Sequence, residues 1–260
     1  MEFARCSRCR REAVAFQAYS GRALCAEHLL RDIEARGKRA IRQQGGLGTR
    51  ERVGVFVEEG GAGAALLWFA VRQFGRRRDT VLVALLPGES APPGLPEGVE
   101  VAAIGDRGPE SAAAGLGCNV LALPTTLEEM ASSVLGAVLA GRQATLADGR
   151  VQDGLRVVRP FQHVPATEVG LYLALVSGEA VPPAGGPRGA PDPVLAFAAE
   201  ELARHAAAHP SAPFALVRVA GAITELGSGD RGVRGTAGDA RPGPRPPGPA
   251  RDAPRRACRR

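Results

Sequence analysis

Two stretches of the chain carry residue types at spacings that could do chemistry. The first is Cys6-x2-Cys9, then fifteen residues, then Cys25-x2-His28. Three thiols and an imidazole in two short hooks supply the four soft ligands of a closed tetrahedral Zn²⁺ site. The intervening residues can form a hairpin, with Ala13–Phe16 and Ala23-Leu24 flanking a turn at Ser20-Gly21. So small a knuckle has no core of its own, and a metal would hold it together. A redox use of Cys6 and Cys9 is disfavoured, because no strand–helix context surrounds them. The second stretch is Val53–Phe74, an apolar run, the turn Glu58-Glu59-Gly60-Gly61, and a small-residue helix with Leu66, Leu67, Phe69, Ala70 and Phe74 on one broad face. Strand, glycine turn and helix can build a phosphate site, because glycines let the backbone approach an anion and the helix N-terminus offers N–H donors. This turn has no Lys, Ser or Thr, and it places Glu58 and Glu59 where a phosphate would sit. Carboxylates there repel a triphosphate.

The elements that must position these groups follow from periodicity. Ala26–Gln44 reads as one helix, with Leu29, Leu30, Ile33, Ala40 and Ile41 inward and Arg31, Arg36, Lys38, Arg39 and Arg42 polar; glycines 45, 46 and 48 end it. Further strands are predicted at Thr80–Leu86, Val99–Ile104, Asn119–Leu123 and Arg156–Phe161. Helices are predicted at Thr126–Leu139, capped by Thr125 or Thr126 with Glu128 and Glu129 in its first turn, at Pro165–Val176, and at Val194–His209. Gly105–Gly117 reads as a short Gly/Ala-rich connection, and Phe214–Val217 closes the folded part. Alternating strands and helices predict an α/β fold with a doubly wound parallel sheet. Ligands in such sheets sit beyond the carboxyl ends of the strands, here Glu58–Ala62 and Leu123–Thr126. The expected organisation is a zinc knuckle over 1–30, a basic helical arm and hinge over 31–50, the α/β domain over 51–176, a helical extension over 177–226 and a disordered basic tail over 227–260.

Charge is unevenly distributed along the 260 residues. Residues 1–50 carry a net +6 and residues 227–260 another +6, so the middle, 51–226, carries −6. Basic ends suit a polyanion such as RNA, though they also suit a merely solvated surface. No apolar run approaches the roughly 20 residues that span a bilayer. The charged N-terminus predicts no signal peptide, and a reducing cytoplasm is the expected compartment.

Several motifs in one order resemble the PP-loop tRNA 2-thiouridine synthetases, the TtuA/TtcA-like group that includes the eukaryotic cytosolic thiouridylase. The knuckle ends in Leu24-Cys25-Ala26-Glu27-His28, like the family's LC-x-x-H. The family's SGGKDS loop falls on Glu59-Gly60-Gly61-Ala62-Gly63-Ala64, and its LATGHNLDDEAQ segment on Leu121–Ser132. Its basic-Pro segment falls on Arg159-Pro160-Phe161, Pro165, Glu168-Val169 and Tyr172, and its His-Pro ending on His209-Pro210, Phe214 and Arg218. The resemblance covers about residues 4–220. It implies a PP-loop ATPase (HUP-like) fold, tRNA as partner, and a reaction in which ATP–Mg²⁺ activates a uridine before sulfur transfer. It also implies a ubiquitin-like sulfur carrier among the partners.

The departures from the family pattern bear on each of these. The loop lysine, aspartate and serines are replaced by Ala62, Gly63, Glu59 and Ala64, leaving Gly60 and Gly61 as a degenerate remnant of cofactor binding. The second segment carries Thr125, Thr126, Glu128 and Glu129. Cysteines that hold an iron–sulfur cluster in the family are missing from Gly105–Gly117 and Ser177–Pro193; Cys118 aligns with a non-ligand position, and the tail has only Cys258. The metal expected is therefore a structural Zn²⁺ on Cys6, Cys9, Cys25 and His28. ATP–Mg²⁺ and an iron–sulfur cluster are not expected, and no catalytic residue is assigned. Three readings remain open. The first is a tRNA-binding or scaffolding pseudoenzyme beside an active PP-loop thiolation enzyme. The second is an active ATP-dependent sulfurtransferase with a remodelled nucleotide site, and the third an interaction module or decaying paralogue.

Overall fold

The computed structural model describes residues 5–58, 60–88, 96, 98–142, 154–178 and 192–229. A two-stranded antiparallel hairpin, β1 (Ala15–Gln17) and β2 (Arg22–Leu24), comes first, with Gly21 at φ 65° in its turn. The helix α1 (Ala26–Gln43) follows at once. A five-stranded sheet then forms from β3 (Glu51–Phe56), β4 (Thr80–Leu86), β5 (Glu100–Ala103), β6 (Val120–Ala122) and β7 (Arg156–Val158). Its order is β5-β4-β3-β6-β7 and every pairing is parallel. Between the strands run α2 (Gly61–Phe74), α3 (Pro109–Gly115) and α4 (Leu127–Leu139). After β7 come α5 (Ala166–Ser177), α6 (Pro193–Ala208) and α7 (Ala212–Gly229).

Alternation along each strand divides the apolar side chains between two faces. Val53, Val55, Leu82, Ala84, Leu86, Val120, Ala122 and Val158 face α2 and α5, and that core runs on without a break to Leu24, Leu29 and Ile33 of the hairpin and α1. Val83, Leu85, Leu121 and Val157 face the opposite way, onto Ala112 and Ala113 of α3 and onto Cys118. Parallel strands buried on both faces account for the continuous run Thr80–Leu86, whose bounds match the sequence expectation. A separate cluster of Leu127, Ala131, Leu202 and Val217 joins α4 to α6 and α7.

Three features differ from the sequence expectation. The connection 105–117 holds a helix, α3, started by Pro109 at its first turn and built largely from alanine. Phe214–Val217 belongs to α7, because Val217 and Ala220 find a buried seat against neighbouring helices. That helix continues to Gly229, three residues into the segment expected to be disordered from Gly227; residues 230–260 lie outside the described residues, as does most of the Pro/Gly loop expected at 177–193.

Candidate metal centre and nucleotide site

The hairpin and the start of α1 bring Cys6, Cys9, Cys25 and His28 together. Their ligand atoms all lie within 4.8 Å of one another. Cys25 Sγ is 3.3 Å from His28 Nδ1, Cys6 Sγ is 3.5 Å from the same nitrogen, and Cys9 Sγ is 3.7 Å from Cys25 Sγ. Zn–S bonds of about 2.3 Å at tetrahedral angles put sulfurs about 3.8 Å apart, so the donor set fits a metal such as zinc. Cys25 is the N-cap of α1 and His28 lies in its first turn, so helix formation itself sets the spacing of these two ligands. Burial pushes the Cys6 thiol up, but N–H donors from Cys25, Arg8 and Cys9 outweigh it and bring the group down to about 6. The N–H of Arg11 favours the Cys9 thiolate, whereas burial and the thiols of Cys25 and Cys6 push that group up. A bound cation removes this thiolate repulsion.

A buried polar cluster fastens the module to the sheet domain. Glu168 of α5 is buried, and its carboxylate accepts from Tyr19 Oη at 2.7 Å, from Gln17 Nε2 at 3.2 Å and from the Arg36 guanidinium. Arg36 also pairs with Asp32 at 3.0 Å and donates to the His163 carbonyl at 3.0 Å. Burial opposes the Arg36 charge, but Glu168, Tyr19 and Asp32 more than restore it, and the group is raised. The sequence signal for this cluster was a carboxylate at an inward position of an otherwise apolar helix.

The second candidate site lies where β3 and β6 adjoin. Crossovers leave these neighbours in opposite directions, which makes their carboxyl ends the switch point of the sheet. Gly60 there has φ 113° and ψ 164°, a conformation side chains avoid. Gly61 opens α2, and Gly63 lies one turn in. A Cβ on Gly63 would stand 2.7 Å from the Glu58 nitrogen and 2.9 Å from the Val57 Cα, so the loop is folded directly onto the helix end. Residues 60–64 present only glycine and alanine, and Glu59 lies outside the described residues. Across the rim, both acids of the second segment are engaged in capping. Glu129 accepts from the Thr126 N–H at 2.7 Å and the Thr126 hydroxyl at 3.0 Å, closing the N-terminus of α4. Glu128 accepts from the Ala166 N–H at 2.8 Å, at the start of α5. Burial pushes the Glu128 carboxyl up, only partly offset by that N–H.

Of the residues singled out in the sequence, the four module ligands converge, and Gly60 and Gly61 lie together at the switch point. Cys118 lies on the α3 face beside Gly54 and Ala113, and burial raises its thiol. A cluster needs three or four thiolates in reach. Among the described residues Cys118 is the one thiol outside the N-terminal module. Sequence reasoning missed the Glu168–Arg36–Tyr19 cluster as a unit, and it missed that the charges of Arg36, Arg218 and Arg39 bear on His163.

Residues 5–30 match the family model described as the 2-thiouridine synthetase TtuA N-terminal LIM domain. No curated protein matches the chain. Among solved structures the chain is similar to the U34-tRNA thiolase NcsA from Methanococcus maripaludis with its [4Fe-4S] cluster, with a TM-score of 0.70 over 86% of this chain and 88% of that one. At 15% identity this is a likeness of fold. The N-terminal module is thus similar to that of the 2-thiouridine synthetase TtuA, and the chain as a whole shares the fold of a tRNA thiolase.

Proposed function

We propose that the protein is a tRNA-binding or scaffolding subunit of uridine thiolation whose own nucleotide site is degenerate. The observation that carries this is the state of the switch point. Residues 60–64 offer an anion neither cation nor hydroxyl, and the two acids across the rim are committed to helix caps. Neutralising a triphosphate without a cation is electrostatically unfavourable. The structural role retained is that of the module, with Zn²⁺ held by Cys6, Cys9, Cys25 and His28. The partners are tRNA, an active PP-loop thiolation enzyme and, through it, a ubiquitin-like sulfur carrier, in the cytoplasm.

A second reading keeps the chain an enzyme with a remodelled site. Gly60, Gly61 and the free end of α2 favour it, since backbone N–H groups alone can hold an anion. Isothermal titration of the zinc-loaded protein with ATP–Mg²⁺ separates the two, with a catalytically active relative as control. The expected result is no heat of binding while the control binds. Micromolar binding overturns the first reading and makes Glu58, Glu59 and Thr125 the residues to substitute.

A further inference from the structure

Four elements meet on one side of the module. α1 lies lengthwise along residues 159–163, held at one end by Gln44 and at the other by Arg36. Gln44 donates to the Arg159 carbonyl at 3.4 Å and accepts the Arg159 N–H at 2.7 Å. Arg36 donates to the His163 carbonyl at 3.0 Å. Arg39 stands about 60° round the helix from Arg36, one turn nearer Gln44. The first turn of α7 reaches the same place: Phe214 packs against Tyr19 with ring centroids 4.5 Å apart and planes tilted by 45°, and the Tyr19 ring centroid in turn lies 5.9 Å from the Arg36 guanidinium. Arg218 is four residues beyond Phe214, hence on the same face of α7. Arg39 and Arg218 are exposed, and neither has a carboxylate partner among the described residues; Arg36 is already paired with Glu168 and Asp32.

We propose that Arg39, Arg218 and the His163 ring form a seat for one phosphodiester of bound RNA, bridging the zinc-module arm and the C-terminal helix. The proposal rests on the tRNA-binding reading and adds to it a defined contact. Two exposed guanidiniums from different elements, neither with a carboxylate partner among the described residues, act on the charge of one half-buried imidazole, and this is a local charge pattern that a phosphate completes. Burial lowers the His163 ring, and the nearby charges of Arg36, Arg218 and Arg39 lower it further. Glu168 and Asp32, the carboxylates paired with Arg36, are already engaged by its guanidinium. Gln162 Nε2 lies 3.3 Å from His163 Nε2. An anion seated beside the ring offsets the arginines and favours its charged form. RNA binding through this seat takes up a proton, and it strengthens as pH falls from 8 to 6.

The test uses the full chain, zinc-loaded, with an unmodified tRNA transcript, titrated by fluorescence anisotropy across 50–300 mM KCl at pH 6 and pH 8. Two double variants carry equal charge loss, R39A/R218A at the seat and R76A/R78A at the far end of α2. The seat variant is expected to bind at least about tenfold more weakly at 100 mM KCl, to lose the pH dependence, and to show a salt slope shallower by about one to two. The R76A/R78A variant keeps the pH dependence. In parallel, the His163 ring is titrated by NMR with inorganic phosphate and with a short RNA, and its pKa rises in wild type and stays put in R39A/R218A. If tRNA binds but both variants lose equally and His163 does not move, the seat is wrong and the RNA reading stands. If tRNA does not bind yet phosphate raises the His163 pKa, the seat stands and the RNA reading falls. If neither ligand acts, both fall.

Discussion

Glu128 shows how a side chain at a candidate catalytic rim can be diverted to architecture. Its carboxylate is largely buried and spends itself on the Ala166 N–H at 2.8 Å. The cap needs an oxygen acceptor, and the fold gains nothing from the charge. Because burial raises the folded carboxyl above its unfolded value, its favourable contribution is full below the ordinary carboxylate range and is lost as pH rises through the raised value. Glutamine keeps the acceptor without the charge. Glu128→Gln is therefore expected to melt at or above wild type at pH 7.5, with the gap closing toward pH 4.5. Glu128→Ala loses the cap, a deficit of about 1 kcal/mol near pH 4.5 that narrows toward pH 7.5. Thermal melts of the three proteins from pH 4.5 to 8 decide it. Glu128→Gln falling as far as Glu128→Ala at pH 7.5 would mean that the negative charge itself is required there, as at a metal or nucleotide.

Between elements, α1 meets α2 at one tight point. Gly37 sits under the Phe69 ring, where a Cβ would lie 2.7 Å from Cζ. The ring cannot swing away freely, because Phe161 and Phe74 hold it edge-on at centroid distances of 5.6 and 6.2 Å. Gly37→Ala gains up to about 1 kcal/mol of helix propensity, but overpacking costs about 1–3 kcal/mol. The net expectation is a loss of about 1 kcal/mol in urea denaturation, recovered in Gly37→Ala/Phe69→Leu. A single variant more stable than wild type would show that the contact is loose. This contact also marks how far the sequence could be read. Periodicity placed α1, α2 and β4 within a residue or two, and Cys-x2 spacing placed the module ligands, because these are local signals. It could not pair Gly37 with Phe69, or Glu128 with Ala166, because each joins separate elements. α3 was hidden by a Gly/Ala composition that suits a turn as well as a helix. α7 was hidden because the four apolar residues Phe214–Val217 show no period, and the helix is fixed by tertiary seats for Val217 and Ala220. The strand order likewise comes from packing, since periodicity finds strands but not neighbours.

At the scale of the molecule, the module and the sheet domain share one continuous core. Leu24, Leu29 and Ile33 belong to the same buried cluster as Val55, Phe69 and Tyr172, and the Glu168–Arg36 pair crosses the join. The module is too small to fold on hydrophobic burial alone, so the metal expected at its four ligands holds up one wall of that core. Removing the metal should then reach the sheet. Chelated protein is expected to melt in a single transition lowered by more than about 5 °C, because the loss of Leu24 and Leu29 from their seats exposes Phe69 and leaves Glu168 and Arg36 without Tyr19 and Gln17. Differential scanning calorimetry with and without chelator, and with zinc added back, checks it. Restoration by zinc within the same transition supports one cooperative unit. Two transitions, with the main one unmoved, would show instead that the module docks on a domain already complete without it, and the α1 arm would then be free to reorient when RNA binds.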